Sequence, residues 1–140
     1  MRNIYTLFAA ATLAFAGVTN AATLTVNITQ VTKAAGKMAV KLVSSSAAYD
    51  GEAEATAAQM VDVKSVEPIS LSFPDLKPGT YSVMVMQDEN GNGQLDSNIL
   101  GIPKEGYGFS NNPRVMRRPN FDETKFEVKD ADLAITIEIL

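Results

Sequence analysis

Cysteine and histidine are both missing from the 140 residues. Without them there is no thiolate or imidazole, so Ser-His-Asp and Cys-His nucleophiles and the usual zinc sites are excluded. No disulfide can form either, and the fold must rest on its core, with a bound cation as the one available staple. Positive charge is scarce as well. Lys and Arg number 12 against 16 Asp and Glu, for a net charge of −4. That balance argues against a nucleic-acid partner, whose phosphates demand a basic face.

Long apolar runs are few. The first covers residues 4–18, follows the single charge of Arg2, and ends in Thr19-Asn20-Ala21-Ala22. A short basic start, an apolar middle and small residues at the end make a secretory signal peptide. The run is short of the roughly 20 residues needed to span a bilayer. No Cys follows it, which excludes a lipid-modified N-terminus. Cleavage is expected after Ala21, so residues 1–21 are read as signal and residues 22–140 as one domain. Losing Arg2 lowers Lys+Arg from 12 to 11 against 16 acids, a net −5. No later stretch is long enough to cross a membrane, so the exported protein is not expected to span one.

Period-two alternation dominates that domain. Leu24, Val26 and Ile28 alternate with polar residues, and Met38, Val40 and Leu42 follow a turn at Ala35-Gly36, which reads as a hairpin. Residues 44–58 are rich in Ser, Ala and Glu and read as a loop with a helical turn near residues 52–59. Met60, Val61 and Val63 are candidate core residues after it. Ile69, Leu71 and Phe73 form another strand, closed by the turn at Pro74 to Gly79. Tyr81, Val83 and Val85 follow, with Met84 and Met86 on the other face, so this strand reads as central and buried on both sides. Residues 125–128 and 133–140 complete the set. About seven strands at this spacing predict an all-β, seven-stranded antiparallel Greek-key β-sandwich of prealbumin-like or immunoglobulin-like kind. Residues 88–124 form one long loop, read as ordered and as the place where function sits.

That loop opens Asp88-Glu89-Asn90-Gly91-Asn92-Gly93-Gln94-Leu95-Asp96. Oxygen-bearing side chains at positions 1, 3, 5 and 9, with Gly at 6, match the spacing of a calcium loop, and position 7 contributes a main-chain carbonyl. Asp88, Asn90, Asn92, Gln94 and Asp96 are the candidate ligands, Leu95 turns inward as a plug, and Glu105 or Asp122 could supply a third carboxylate. Position 12 is Ile99 and no helix precedes the loop, so the motif departs from a helix-flanked calcium hand. With two carboxylates, binding would be weak, about 10⁻⁴–10⁻³ M. The other reading is a turn that uses Asn-Gly twice for its positive φ.

The second half reads Gly101-Ile102-Pro103-Lys104-Glu105-Gly106-Tyr107-Gly108-Phe109-Ser110-Asn111-Asn112-Pro113. Tyr107 and Phe109 could be a stacking platform for a ligand, or could cap the open end of the sandwich. Arg114, Arg117 and Arg118 could clamp an anion bidentately or pair with the loop's own acids. Together Glu105, Tyr107, Phe109, Asn111, Asn112, Arg114, Arg117 and Arg118 are the candidate ligand or partner surface.

Leu76-Lys77-Pro78-Gly79-Thr80-Tyr81, the Asp88–Asp96 run, Gly101 to Asn111 and Pro119-Asn120-Phe121-Asp122 together resemble an exported bacterial family, domain of unknown function 2141. The resemblance covers nearly the whole exported chain and implies a periplasmic β-domain with no established activity. Gln87 stands where that family often has His, and Arg117-Arg118 where it often has Phe-Gly. The Leu-x-Pro-Gly-x-Tyr step is also similar to transthyretin-like and collagen-adhesin sandwiches, where the Tyr packs at a sheet corner. Transthyretin-related hydrolases use His, which this chain lacks.

The expected function is an exported, non-catalytic binding or structural module of the cell envelope. A calcium-pinned loop would order a surface for an envelope protein or glycan. The alternatives are a small glycan hydrolase using Glu105 with Asp122 or Glu123, and a purely structural surface domain.

Overall fold

The computed structural model describes residues 21–140, so the expected signal peptide, all but its last residue, lies outside the described residues. Strand β1 (Ala22–Thr29) buries every second side chain, with Ala22, Leu24, Val26 and Ile28 against the core. It pairs antiparallel with β4 (Ile69–Leu76) and parallel with β8 (Leu133–Glu138). The second sheet runs β3 (Ala57–Asp62), β2 (Lys37–Val43), β5 (Gly79–Asp88), β6 (Tyr107–Phe109). Strand β7 (Phe126–Val128) pairs with the first residues of β5.

One apolar cluster joins Leu24, Val26, Ile28, Phe73 and Ile137 of the first sheet to Met38, Val40, Leu42, Val83 and Val85 of the second. Two sheets that bury their inner faces in one core make a β-sandwich. Phe73 is only 2% exposed, and truncating such a ring to Ala costs about 3–5 kcal/mol.

Four expectations are corrected. The strands number eight, and the extra one, β6, lies inside the expected 37-residue loop. Its alternation was hidden because every second residue there is glycine. The sandwich is not wholly antiparallel, since β1 and β8 run side by side. The helical turn is α1 (Ser46–Tyr49), started by the Ser45 hydroxyl accepting from the Ala48 N–H. Residues placed in that turn from sequence instead open β3, whose Met60 points outward at 60% exposure while Ala57 and Val61 pack on the core. A second short helix, α2 (Phe121–Thr124), carries a capping box between Asn120 and Glu123.

Tyr81 enters β5 buried in the core, and its hydroxyl donates 2.7 Å to the Lys77 carbonyl, tying the Pro78-Gly79 turn to the strand. Gln87, on the inner face of the same strand, is 1% exposed. Its amide donates to the Lys33 and Ala35 carbonyls, which fixes the turn between β1 and β2.

Candidate functional site

Gly106, Gly108, Tyr107 and Phe109 fall into place once β6 is recognised as a strand. Alternate residues of a strand face opposite ways, so the glycines face inward and the aromatics outward. A Cβ at Gly108 would lie 2.6 Å from Ile137 Cγ2 and 2.9 Å from the Glu138 carbonyl oxygen. One at Gly106 would lie 2.6 Å from Ile139 Cγ2. Only glycine lets β6 approach β8 this closely. The contact is completed by the Leu140 N–H donating 2.8 Å to the Tyr107 carbonyl. Tyr107 and Phe109, half-buried, therefore stand on the outer face of the five-stranded sheet, and their rings meet edge-on at 6.1 Å.

That outer face is apolar. Met60 of β3, Ala39 of β2, Met86 of β5 and Tyr107 of β6 lie in register across it, and Ala58, Lys41, Met84 and Phe109 make the next row. On the first sheet the corresponding outward positions are Thr23, Thr25 and Asn27 of β1 with Ser70 and Ser72 of β4. At one end α1 and α2 cover the apolar sheet, and Tyr49, Ala48 and Val43 form a small second core with Phe109 and Phe121. The Tyr49 hydroxyl donates 2.5 Å to the Pro119 carbonyl. Burial pushes its phenol above the ordinary value, against the pull of Arg118. The rest of the face stays open as a groove of about 630 Å³, lined by Tyr107 and Phe109, with Leu95 of the Asp88–Asp96 loop also lining it. This size lies within the range of small-molecule sites.

Two basic side chains reach the groove, Lys41 and Arg118. The Arg118 guanidinium sits 4.3 Å from the centre of the Tyr49 ring and donates 2.9 Å to the Tyr49 carbonyl. It reaches Asp50 at 3.4 Å.

Leu95 is held by the Asp88–Asp96 loop, which is ordered through its own polar groups. Asp88, 4% exposed, accepts from the N–H groups of Gly91, Asn92 and Gly93 at 3.0, 3.2 and 2.7 Å. The Asn90 and Asn92 amide nitrogens both donate to the Asp96 carboxylate. The Asn oxygens accept from the main chain two residues on. The Gln94 side chain is exposed. Glu105 closes the loop. It is 6% exposed, and its two oxygens accept from the Glu89 N–H at 3.1 Å and the Asp96 N–H at 3.0 Å. Among the described residues no three acidic side chains converge on one point that could hold a metal ion.

Of the expected surface, the structure brings Tyr107, Phe109 and Arg118 to the groove and leaves the others elsewhere. Glu105 is an internal clamp. Asn111 and Asn112 adopt positive φ after β6, and their amides bind the main chain of residues 123, 125, 136 and 138. Arg114 pairs with Glu138. Arg117 holds Glu123 bidentately at 2.7 and 2.8 Å. That contact, with the Asn120 N–H, draws the Glu123 carboxyl down to about 2. Asp122 pairs with Lys125. Sequence reasoning missed Lys41, Tyr49, Met60, Met84 and Met86. The signal for the last two was there, because an apolar outer face on a central strand means either a covering layer or an open site.

Fold and groove together define a small two-sheet β-domain with an apolar site on one outer face. The chain belongs to the family DUF2141, described as an uncharacterized protein conserved in bacteria, whose model matches residues 26–136, from within β1 to within β8. Neither the curated proteins nor the solved structures contain a match.

Proposed function

We propose that this chain is an exported, non-catalytic binding module of the bacterial cell envelope, resident in the periplasm, whose ligand site is the groove on the five-stranded sheet. The observation that carries the reading is the contrast between the two outer faces. One is Thr, Ser and Asn, as a solvated face requires, while the other presents Ala39, Met60, Met84, Met86, Tyr107 and Phe109 around a single lysine, Lys41. An exposed apolar surface of this kind is characteristic of a binding site. Methionine suits such a site because its flexible thioether adapts to different shapes. The signal-like start of the chain supports export.

A non-catalytic role is supported by what the carboxylates do. Glu105 spends both oxygens on the main chain, Asp122 pairs with Lys125 and Glu123 with Arg117, so the pair a glycan hydrolase would use is divided among separate partners.

The Asp88–Asp96 loop belongs to the same proposal as a weak calcium site. Calcium would take the Asp88 and Asp96 carboxylates, the Asn90 and Asn92 amide oxygens and the Gln94 carbonyl, after the two amides turn from donors to acceptors. Its effect would be to stiffen the loop that holds Leu95 in the groove lining. A thermal melt in millimolar calcium should rise; an unmoved melt and no heat in calorimetry would remove calcium from the proposal and leave the groove.

The groove itself is tested with the neutral dye Nile red. Its fluorescence should rise saturably with the exported protein. Met86→Glu should abolish the rise, and Ser72→Glu, on the other outer face, should not. No saturable rise, or equal loss in both variants, refutes the site.

A further inference from the structure

Lys41 projects from the middle of the apolar sheet face. Its cross-strand neighbours are Ala58 on β3 and Met84 on β5, neither able to accept a hydrogen bond from an ammonium strongly. It is half-buried and, among the described residues, makes no ion pair or hydrogen bond, whereas Lys37 on the same strand pairs with Asp62 at 2.7 Å. A long side chain can carry its ammonium to water along an apolar surface. Even so, an unpaired charge on such a surface favours an anion there. Arg118 adds a second cation, and Asp50 is the one acid lining the same groove. The lining thus carries a net positive charge in a chain whose formal charge is −4.

The floor limits what else the ligand can carry. Strands β2 and β5 pair with each other over seven residues, and β3 and β6 cover their far sides. Their N–H and C=O groups are therefore spent within the sheet. A peptide lying in the groove would bury amides with no partner beneath them, at about 1–3 kcal/mol for each unpaired group. A hydrocarbon chain has no such groups to satisfy.

Resting on the groove reading above, we propose that the occupant is a free single-chain amphiphile with an anionic head. The head lies against Lys41 and Arg118, and the chain runs over Ala39, Met84 and Met86 between Met60 and Tyr107. Arg118 is held in place by its stacking on Tyr49 and its bond to the Tyr49 carbonyl.

The test is displacement of Nile red by three probes with twelve-carbon chains, each below its micellar or solubility limit: dodecanoate, dodecanol and dodecyltrimethylammonium. Dodecanoate should bind best and the trimethylammonium worst. Lys41→Met keeps most of the length of the side chain and removes its charge, and it should weaken dodecanoate about fivefold or more without weakening dodecanol. Equal binding of dodecanoate and dodecanol to the natural protein overturns the anionic head while leaving an apolar groove. This comparison needs no variant to fold. Failure of all three probes and of Nile red itself refutes the groove. Sedimentation as a dimer that excludes Nile red until it dissociates overturns the proposal in favour of a second copy of the chain.

Discussion

Glu105→Gln alters one atom of the loop clamp and almost nothing of its volume. In the natural protein both carboxylate oxygens accept a main-chain N–H, from Glu89 and from Asp96, in a site only 6% exposed. The amide keeps one acceptor and turns an N–H₂ group towards the other N–H. One hydrogen bond to a charged acceptor is lost, worth about 1.5–3 kcal/mol, and a donor is left facing a donor. The loop from Asn90 to Gln94 is largely exposed, so it can swing open without unfolding the sandwich, and local opening sets the ceiling on the loss. A local loss of about 2 kcal/mol corresponds to roughly 30-fold faster opening-limited exchange. Amide hydrogen exchange followed by NMR reads this at the Glu89 and Asp96 N–H groups, with Leu24 and Val26 in β1 as core references. Those two loop amides should speed up by about that factor while the references hold and the melting temperature moves little. Because Leu95 precedes Asp96, Nile red should also bind less tightly. If Glu89 and Asp96 exchange as they do in the natural protein, the carboxylate is not the clamp and the reasoning fails.

Other perturbations address separate parts of the fold. Gly108→Ala places a methyl 2.6 Å from Ile137 Cγ2, so denaturant melts should show a loss of about 1–3 kcal/mol, and an unchanged midpoint would mean that β6 does not need its close approach to β8. The Glu123 carboxyl is held down to about 2 by Arg117 and the Asn120 N–H. Its folded value lies below its unfolded one, so the stability it contributes is present above the ordinary glutamate range and fades as pH falls towards about 2. NMR titration should find its midpoint near that value in the natural protein and clearly higher in Arg117→Met, where only the Asn120 N–H still holds it down; an unchanged midpoint in the variant disproves the pairing. Ile99, Leu100 and Ile102, exposed by 103%, 78% and 57%, bury little, so changing each singly to Ser should shift stability by less than about 0.5 kcal/mol. A larger loss by chemical denaturation would show that the tip packs against something.

The strands that bury one face were legible because burial imposes period two directly on composition. Leu24, Val26 and Ile28, or Val83 and Val85, can be read without knowing what they touch. The Asp88–Asp96 loop was legible as an ordered, carboxylate-headed turn for a similar local reason, since Asp88 binds N–H groups three to five residues away. The sequence offers Glu105 to that loop as a third carboxylate, but only the burial of its side chain decides that it accepts from the Glu89 and Asp96 N–H groups.

Strand β6 was illegible because its inward residues are glycines, whose reason for being there is the distance to Ile137 and Ile139 about 30 residues later. The residues of the candidate surface likewise do not share one face. Adjacent residues in an irregular segment look like one patch, yet Phe109 and Asn111 are sent apart by the left-handed turn that ends the strand. The sequence alone determined a cysteine-free and histidine-free β-domain with an acidic surface and one ordered loop, since these follow from residue types and local spacing. Tertiary structure alone decided that Met60 of β3 and Met84 and Met86 of β5 line one open groove, with Ala39 and Lys41 of β2 between them. Cross-strand register brings them together, and which part of that sheet face stays open is set by where α1 and α2 pack.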